Sequence, residues 1–178
     1  MIICLDLRSY GGKLSYLPVE DSNATLSFSD IDVSSTGDYV NIPSRPPTNL
    51  LLPLSSPVPT DWVTVEGEFI SVYLTLTSRI AVSSVAVPWA RLDDGLGYLC
   101  WLKAGTPRTA ITTFLLNLST GDHLKSPHVR MVAVRAFRLE PREKDGIMTI
   151  DGERIQYGPV QGQMLPSMAR VLTRYDNI

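Results

Sequence analysis

Short runs of alternating apolar and polar residues dominate this chain, and a helical period surfaces in one place. Ile2 to Leu7 and Lys13 to Leu17 read as two short strands, with Tyr10-Gly11-Gly12 as the turn between them. Asp61 to Glu66 and Phe69 to Thr77 read as a strand pair around Glu66-Gly67. Val85 to Val87 and Leu96 to Leu102 follow as strands joined through Asp93-Asp94-Gly95, and Val129 to Leu139 is a long β-rich run. The last third has the strongest local signal. Phe137-Arg138-Leu139-Glu140-Pro141 leads through an Asp-Gly pair into Ile147 to Ile150, then through Asp151-Gly152 into further strands at Val160 to Gln163 and Met168 to Thr173. Asp-Gly between β-rich runs predicts a hairpin, because both central positions of a type I′ turn need positive φ.

The helical period lies at Ile111, Phe114, Leu115 and Leu118, one apolar stripe at steps of three, one and three. Thr106 is the expected cap, Pro107 suits the first helical position, and Gly121 is the expected stop. Between Glu20 and Asn49 the pattern disappears, and Ser, Thr, Asp, Asn and Pro take over. Such a segment buries too little apolar surface to offset its ordering entropy, so residues 20–49 read as a flexible insertion. Residues 1–19 and 50–175 then make one domain. Mostly strands with one helix, about 107–119, predicts a mainly β fold: a two-layer antiparallel β-sandwich with one packed helix.

Composition narrows the function classes. Hydrophobic content of 44% and charged content of 19% over 178 residues suit one ordinary core. A net charge of -2 gives no general attraction to nucleic acid or to an anionic membrane. Asp6 and Arg8 interrupt the apolar start, against a signal peptide, and no run reaches the ~18 apolar residues of a membrane span. The expectation is a cytoplasmic protein with peripheral membrane contact at most. Cys4 and Cys100 sit in apolar runs and read as buried free thiols, with a disulfide as the alternative and too few soft ligands for a metal site.

Candidate chemistry is sparse. Asp151-Gly152-Glu153 is either a solvated turn or a place where a glycine backbone approaches a nucleotide with a carboxylate beside it. The stripe Ile111, Phe114, Leu115, Leu118 is either a helix packed on a sheet or one wall of an alkyl slot. His123 follows the helix as a cap or surface residue when read alone, and His128 beside Pro127 carries no signal. Walker-type loops, Gly-x-Ser-x-Gly elbows and His-Cys metal spacings do not occur. Asn23-Ala24-Thr25 and Asn117-Leu118-Ser119 match the glycosylation pattern by chance, and the Ser-rich insertion with Asp30, Asp32 and Asp38 is a candidate for phosphorylation.

Several blocks in fixed order resemble the C-terminal end of sphingosine kinases, within the diacylglycerol-kinase-like lipid kinases. They are Gly12-Lys13-Leu14-Ser15-Tyr16-Leu17-Pro18, Pro57-Val58-Pro59-Thr60-Asp61-Trp62, Asp93-Asp94-Gly95-Leu96, Leu99-Cys100-Trp101, Ala136 to Pro141, Asp151-Gly152-Glu153 and Gln161-Gly162-Gln163. The resemblance implies phosphorylation of the primary hydroxyl of sphingosine with ATP and magnesium. It implies a C-terminal β-sandwich that holds the lipid tail, with pocket positions at Ile80, Cys100, Ile111, Phe114, Leu115, Leu118 and His123. It places the Asp151-Gly152-Glu153 turn at the nucleotide cleft.

The Gly-Gly-Asp-Gly-Thr nucleotide loop of that family does not occur in this sequence. The resemblance assigns it, the catalytic Asp and the carboxylate for the sphingosine amine to an N-terminal kinase domain, the expected partner. Catalytic residues are therefore not expected in this chain, which should be inert alone. The alternative is a stand-alone lipid-binding or regulatory β-sandwich without catalysis.

Overall fold

The computed structural model describes residues 8–19 and 49–166. In chain order these form β1 (Tyr10–Pro18), β2 (Val63–Thr75), β3 (Arg79–Ala81), β4 (Ser84–Val85), β5 (Gly97–Lys103), α1 (Arg108–Asn117), a 3-10 helix (Asp122–Lys125), β6 (Val129–Pro141), β7 (Thr149–Ile150), β8 (Glu153–Arg154) and β9 (Val160–Gln163). The fold is mainly β with an antiparallel, sandwich-like core and a single α-helix among the described residues. The expected strands at Ile2–Leu7 and Met168–Thr173 lie outside the described residues, as does the expected insertion apart from Asn49.

Two long strands make the two layers. The first half of β2 pairs with β1 (Tyr16↔Val63 to Tyr10↔Phe69), and its second half pairs with β5 (Ser71↔Leu102 to Thr75↔Tyr98). β6 does the same in reverse, pairing first with β5 and then with β1, while β9 adds to its second half. The β2 register shifts between Phe69 and Ser71, where the strand crosses from one layer to the other. A bulge at such a corner lets one strand serve two layers. Leu14, Tyr16, Phe69, Leu99, Trp101, Val132 and Val134 fill the space between them.

β5 is buried on both faces. Leu99 and Trp101 point into the interlayer core, while Tyr98, Cys100 and Leu102 point outward, yet all five are buried. The outward set is covered by Ala86, Val87 and Ala90 at one end and by α1 at the other. A strand covered on both sides reads as a continuous apolar run, which is what Gly97 to Leu102 shows.

Several local expectations are corrected. Tyr10-Gly11-Gly12 is not a turn: it continues the β1 ladder opposite Phe69, Glu68 and Gly67. A Cβ on Gly12 would sit 3.1 Å from the Glu140 carbonyl oxygen, so this glycine permits close strand approach. Glu66-Gly67 does not reverse the chain either, because β2 runs unbroken for 13 residues. Val85 to Val87 is strand only at Ser84–Val85. The Asp145-Gly146 pair forms no hairpin, since β6 ends at Pro141 and β7 pairs only with β8. Thr106 does not cap α1: its hydroxyl donates to the Lys103 carbonyl at 2.7 Å, and Pro107 takes the cap position without a side-chain bond.

The second Asp-Gly pair does turn the chain. Asp151 and Gly152 have φ of 50° and 85°, the positive pair a type I′ turn requires, and link β7 to β8. Gly121, at φ 83°, reverses the chain between α1 and the 3-10 helix, as expected of a stop.

Candidate lipid and nucleotide sites

The outer face of β5 and the underside of α1 form one region. Cys100, Leu102, Phe114 and Val129 are buried together, with Ile70, Tyr73, Ile111, Leu118, Leu124 and Met131 packed around them. Five expected lipid-binding positions meet here: Cys100, Ile111, Phe114 and Leu118 directly, and His123 through an edge-on contact with Phe114 at 5.1 Å between ring centres. Two do not join them in the interior. Leu115 and Ile80 are 57% and 56% exposed, Leu115 on the solvent side of α1 and Ile80 on β3. The reason at Leu115 is angular: one residue beyond Phe114 turns 100° around the helix axis, away from the sheet.

Polar atoms are stranded in this apolar region. His123 is fully buried, and neither Nδ1 nor Nε2 makes a hydrogen bond of ordinary geometry. Burial lowers its pKa below the usual 6.5, while the nearby backbone of Asn117 and Ala86 pulls the other way. The Tyr73 hydroxyl is also buried, and its polar neighbour is the cross-strand Cys100 thiol, a weak hydrogen-bond partner. Burial pushes the Cys100 thiol up to about 12 and lifts the Tyr73 phenol well above its ordinary range. Cys100 is a free thiol and stays protonated at neutral pH, so it is packing material here and not a nucleophile. Buried polar atoms with weak partners at best are costly, and three of them lie in this one apolar region.

Between α1 and the 3-10 helix, Thr109, Ala110, Thr113 and Asn117 face an open groove of about 460 Å³ whose other wall is Asp122 and Lys125 to His128. None of the expected lipid residues lines it.

The nucleotide candidates occupy a different environment. Asp151, Gly152 and Glu153 are all exposed at the tip of the β7–β8 hairpin. A Cβ on Gly152 would meet nothing within 4 Å, so the backbone there is open to approach. Among the described residues no group of three His, Cys, Asp or Glu is placed to hold a metal ion. The hairpin thus presents an open backbone flanked by two exposed carboxylates, Asp151 and Glu153.

Sequence reasoning missed the roles of five side chains: Arg138, Gln161, Gln163, Asp94 and Tyr73. Arg138 is 2% exposed and donates to the carbonyls of Ser56, Leu52 and Pro53 and to Gln161 Oε1, at 2.6–3.3 Å. Gln163 Oε1 accepts from the Leu50 N–H and Gln161 Nε2 donates to Leu52 O, so the 50–56 segment is strapped across β6 and β9. Asp94 accepts from the N–H groups of Arg91 and Leu96 and from the Tyr98 hydroxyl, which fixes the turn before β5. Tyr73 sits on an ordinary alternating strand and carries no local signal at all.

Residues 62–173 match the family described as the YegS C-terminal NAD kinase beta sandwich-like domain. The chain is 45% identical to human sphingosine kinase 2 over 130 residues, which is 72% of this chain and 20% of that protein. It is 33% identical to rat sphingosine kinase 1 over 164 residues, 90% of this chain and 40% of the relative. Sphingosine kinase B of Dictyostelium discoideum is 35% identical over 91% of this chain and 22% of its own length. The chain thus spans well under half of the curated relatives it matches. Together with the two-layer β core under a single helix, these matches show that the chain belongs to the YegS C-terminal, NAD kinase β-sandwich-like family, as a C-terminal domain of the sphingosine kinase kind.

Proposed function

We propose that this chain is the lipid-holding half of an ATP-dependent sphingosine kinase, which transfers the ATP γ-phosphate to sphingosine to give sphingosine 1-phosphate. The observation that carries the reading is the region beneath α1, where Phe114, Ile111, Leu118 and Leu102 make an apolar wall and His123 and Tyr73 place buried, weakly partnered polar atoms against it. An alkyl chain entering between helix and sheet gains ~0.8 kcal/mol per buried methylene, so the tail alone can supply much of the affinity. Ile80 and Leu115, exposed at the margin, would close over it.

In this reading the chain binds and orients the lipid and excludes water from its tail, while the Asp151-Gly152-Glu153 hairpin approaches the nucleotide. ATP and magnesium supply the phosphoryl group and charge neutralisation. Transfer requires phosphates, metal and hydroxyl in one geometry, so activity requires the N-terminal kinase domain as partner. The protein then acts in the cytoplasm against membranes, where a long-chain base is dissolved. No helix among the described residues is long and apolar enough to cross one.

Calorimetric titration of the purified chain with sphingosine, and separately with magnesium-ATP, alongside a phosphotransfer assay, tests this. Stoichiometric sphingosine binding without turnover is expected. Turnover by the isolated chain would overturn the division of labour, and absence of sphingosine binding would remove the lipid-holding role.

A further inference from the structure

The Asp151-Gly152 turn sits on a hairpin with no core beneath it. β7 and β8 are paired only at Thr149↔Arg154 and Ile150↔Glu153, and all of these residues are exposed. The Ile155 N–H adds one bond, to the Met148 carbonyl at 3.0 Å. A two-stranded hairpin of this size is marginal in water and cannot hold its own direction against the rest of the domain. Whatever aims it must act on the two arms that carry it, residues 142–148 and 155–159.

Both arms are seated on the start of β1. On the entry arm the Arg142 N–H donates to the Gly11 carbonyl at 2.9 Å, and Glu143 Oε1 accepts from the Gly11 N–H at 2.8 Å. On the exit arm the Tyr157 ring lies against Tyr10, with 6.3 Å between ring centres and a tilt of 48°. The arms also meet each other. A Cβ on Gly146 would collide with the Tyr157 ring, so that ring packs on the bare backbone of the entry arm. This gives the Asp145-Gly146 pair a purpose: its glycine makes no hairpin, and instead leaves a seat for an aromatic ring. Burial, and after it the neighbouring Glu143 carboxylate, raise the Tyr157 phenol above its ordinary range, as befits a ring held between the two arms. Tyr10, Glu143, Gly146 and Tyr157 belong to none of the buried clusters that make the core, so their contacts orient the hairpin without carrying the fold.

We propose that Tyr157 and Glu143 are positioning residues for the ligand of the β7–β8 hairpin, holding its two arms on Tyr10 and Gly11 so that the Asp151-Gly152-Glu153 turn is presented in one direction. This deepens the reading above and rests on it only for the identity of that ligand as a nucleotide. An exposed backbone edge gains affinity only when it is already held where the phosphates will be, because freedom left to it must be frozen on binding. Two side chains outside the hairpin supply that order in advance.

Hydrogen exchange in the purified chain tests the clamp without any ligand. Tyr157→Ala and Gly146→Ala should each speed exchange of the Ile155 N–H about tenfold, the second because its methyl drives the ring off its seat. Added to Tyr157→Ala, Gly146→Ala should have no further effect, since the ring it collides with is gone. Glu143→Ala, which removes the acceptor of the Gly11 N–H, should act in the same direction, and Tyr157→Phe should behave as the unsubstituted chain. The complete kinase, this chain joined to the N-terminal kinase domain, tests the positioning. Tyr157→Ala should raise KM for magnesium-ATP roughly fivefold and leave KM for sphingosine and the melting temperature unchanged, with Tyr157→Phe restoring the ATP value. Unaltered exchange in Tyr157→Ala overturns the proposal, as does equal impairment with both substrates, the mark of a residue that only supports the fold. Faster exchange with an unaltered KM for ATP also overturns it. If Glu153→Ala leaves that KM unaltered too, the nucleotide reading of the hairpin has failed along with it; if Glu153→Ala raises it, that reading stands without the clamp.

Discussion

The region under α1 and the β7–β8 hairpin are both candidate ligand sites, and they are built on opposite principles. Under the helix every candidate side chain is shaped by tertiary contact: Cys100 and His123 are fully buried, and burial moves both their pKa values. At the hairpin nothing is buried, the turn is set by two residues with positive φ, and the backbone faces open space. The first can select a ligand by shape and desolvation, which demands a stable scaffold. The second offers only a backbone edge and two carboxylates, and it needs another surface to complete a site.

Substitutions should separate the two regions sharply. Phe114→Ala removes the side chain that joins α1 to β5 and His123, and should lower unfolding free energy by ~3–5 kcal/mol in urea titration. A loss below 1 kcal/mol would mean the helix is not packed on the sheet. Gly152→Ala meets no steric neighbour, so only its backbone conformation at φ 85° is at stake. It should cost ~1–2 kcal/mol and leave sphingosine binding unchanged in calorimetry.

The pH dependence sharpens the contrast further. Because the folded-state pKa of His123 lies below its ordinary 6.5, the unfolded chain takes up a proton that the native chain resists. Stability from this group is complete above 6.5 and is lost as the pH falls below it. His123→Phe should flatten that part of the stability–pH curve, measured by denaturation at a series of pH values. An unchanged slope would show that His123 is satisfied or solvated in the native state. The smallest effect belongs to Leu115→Trp. With its side chain 57% exposed, stability should change by less than about 0.5 kcal/mol while sphingosine affinity falls. Destabilisation by several times that amount would place Leu115 in a filled core instead.

The legible parts of the fold were those governed by local chemistry. Asp151-Gly152 announced a positive-φ pair, Ile111 and Phe114 announced a helical face, and the apolar run at Leu99 to Leu102 announced a buried strand. Glycine was misread where it serves approach between strands: Gly12 looks like turn chemistry until Glu140 is seen across from it. Of the site, the grouping of Cys100, Phe114 and His123 came from the family resemblance and not from spacing, because they lie on three separate elements.

Sequence by itself determined the β-rich class, the one helix, the Asp151-Gly152 turn and the family, since each depends on neighbours in the chain or on a fixed order of blocks. Only the tertiary structure decided that β2 and β6 each serve both layers, that Arg138 is buried against the carbonyls of the 50–56 segment, that Tyr73 and His123 hold buried polar atoms, and that Val82 stands in solvent. The physical reason is common to all four. Pairing partners, burial and desolvation are set by groups tens of residues away, and no local pattern encodes which of them will meet.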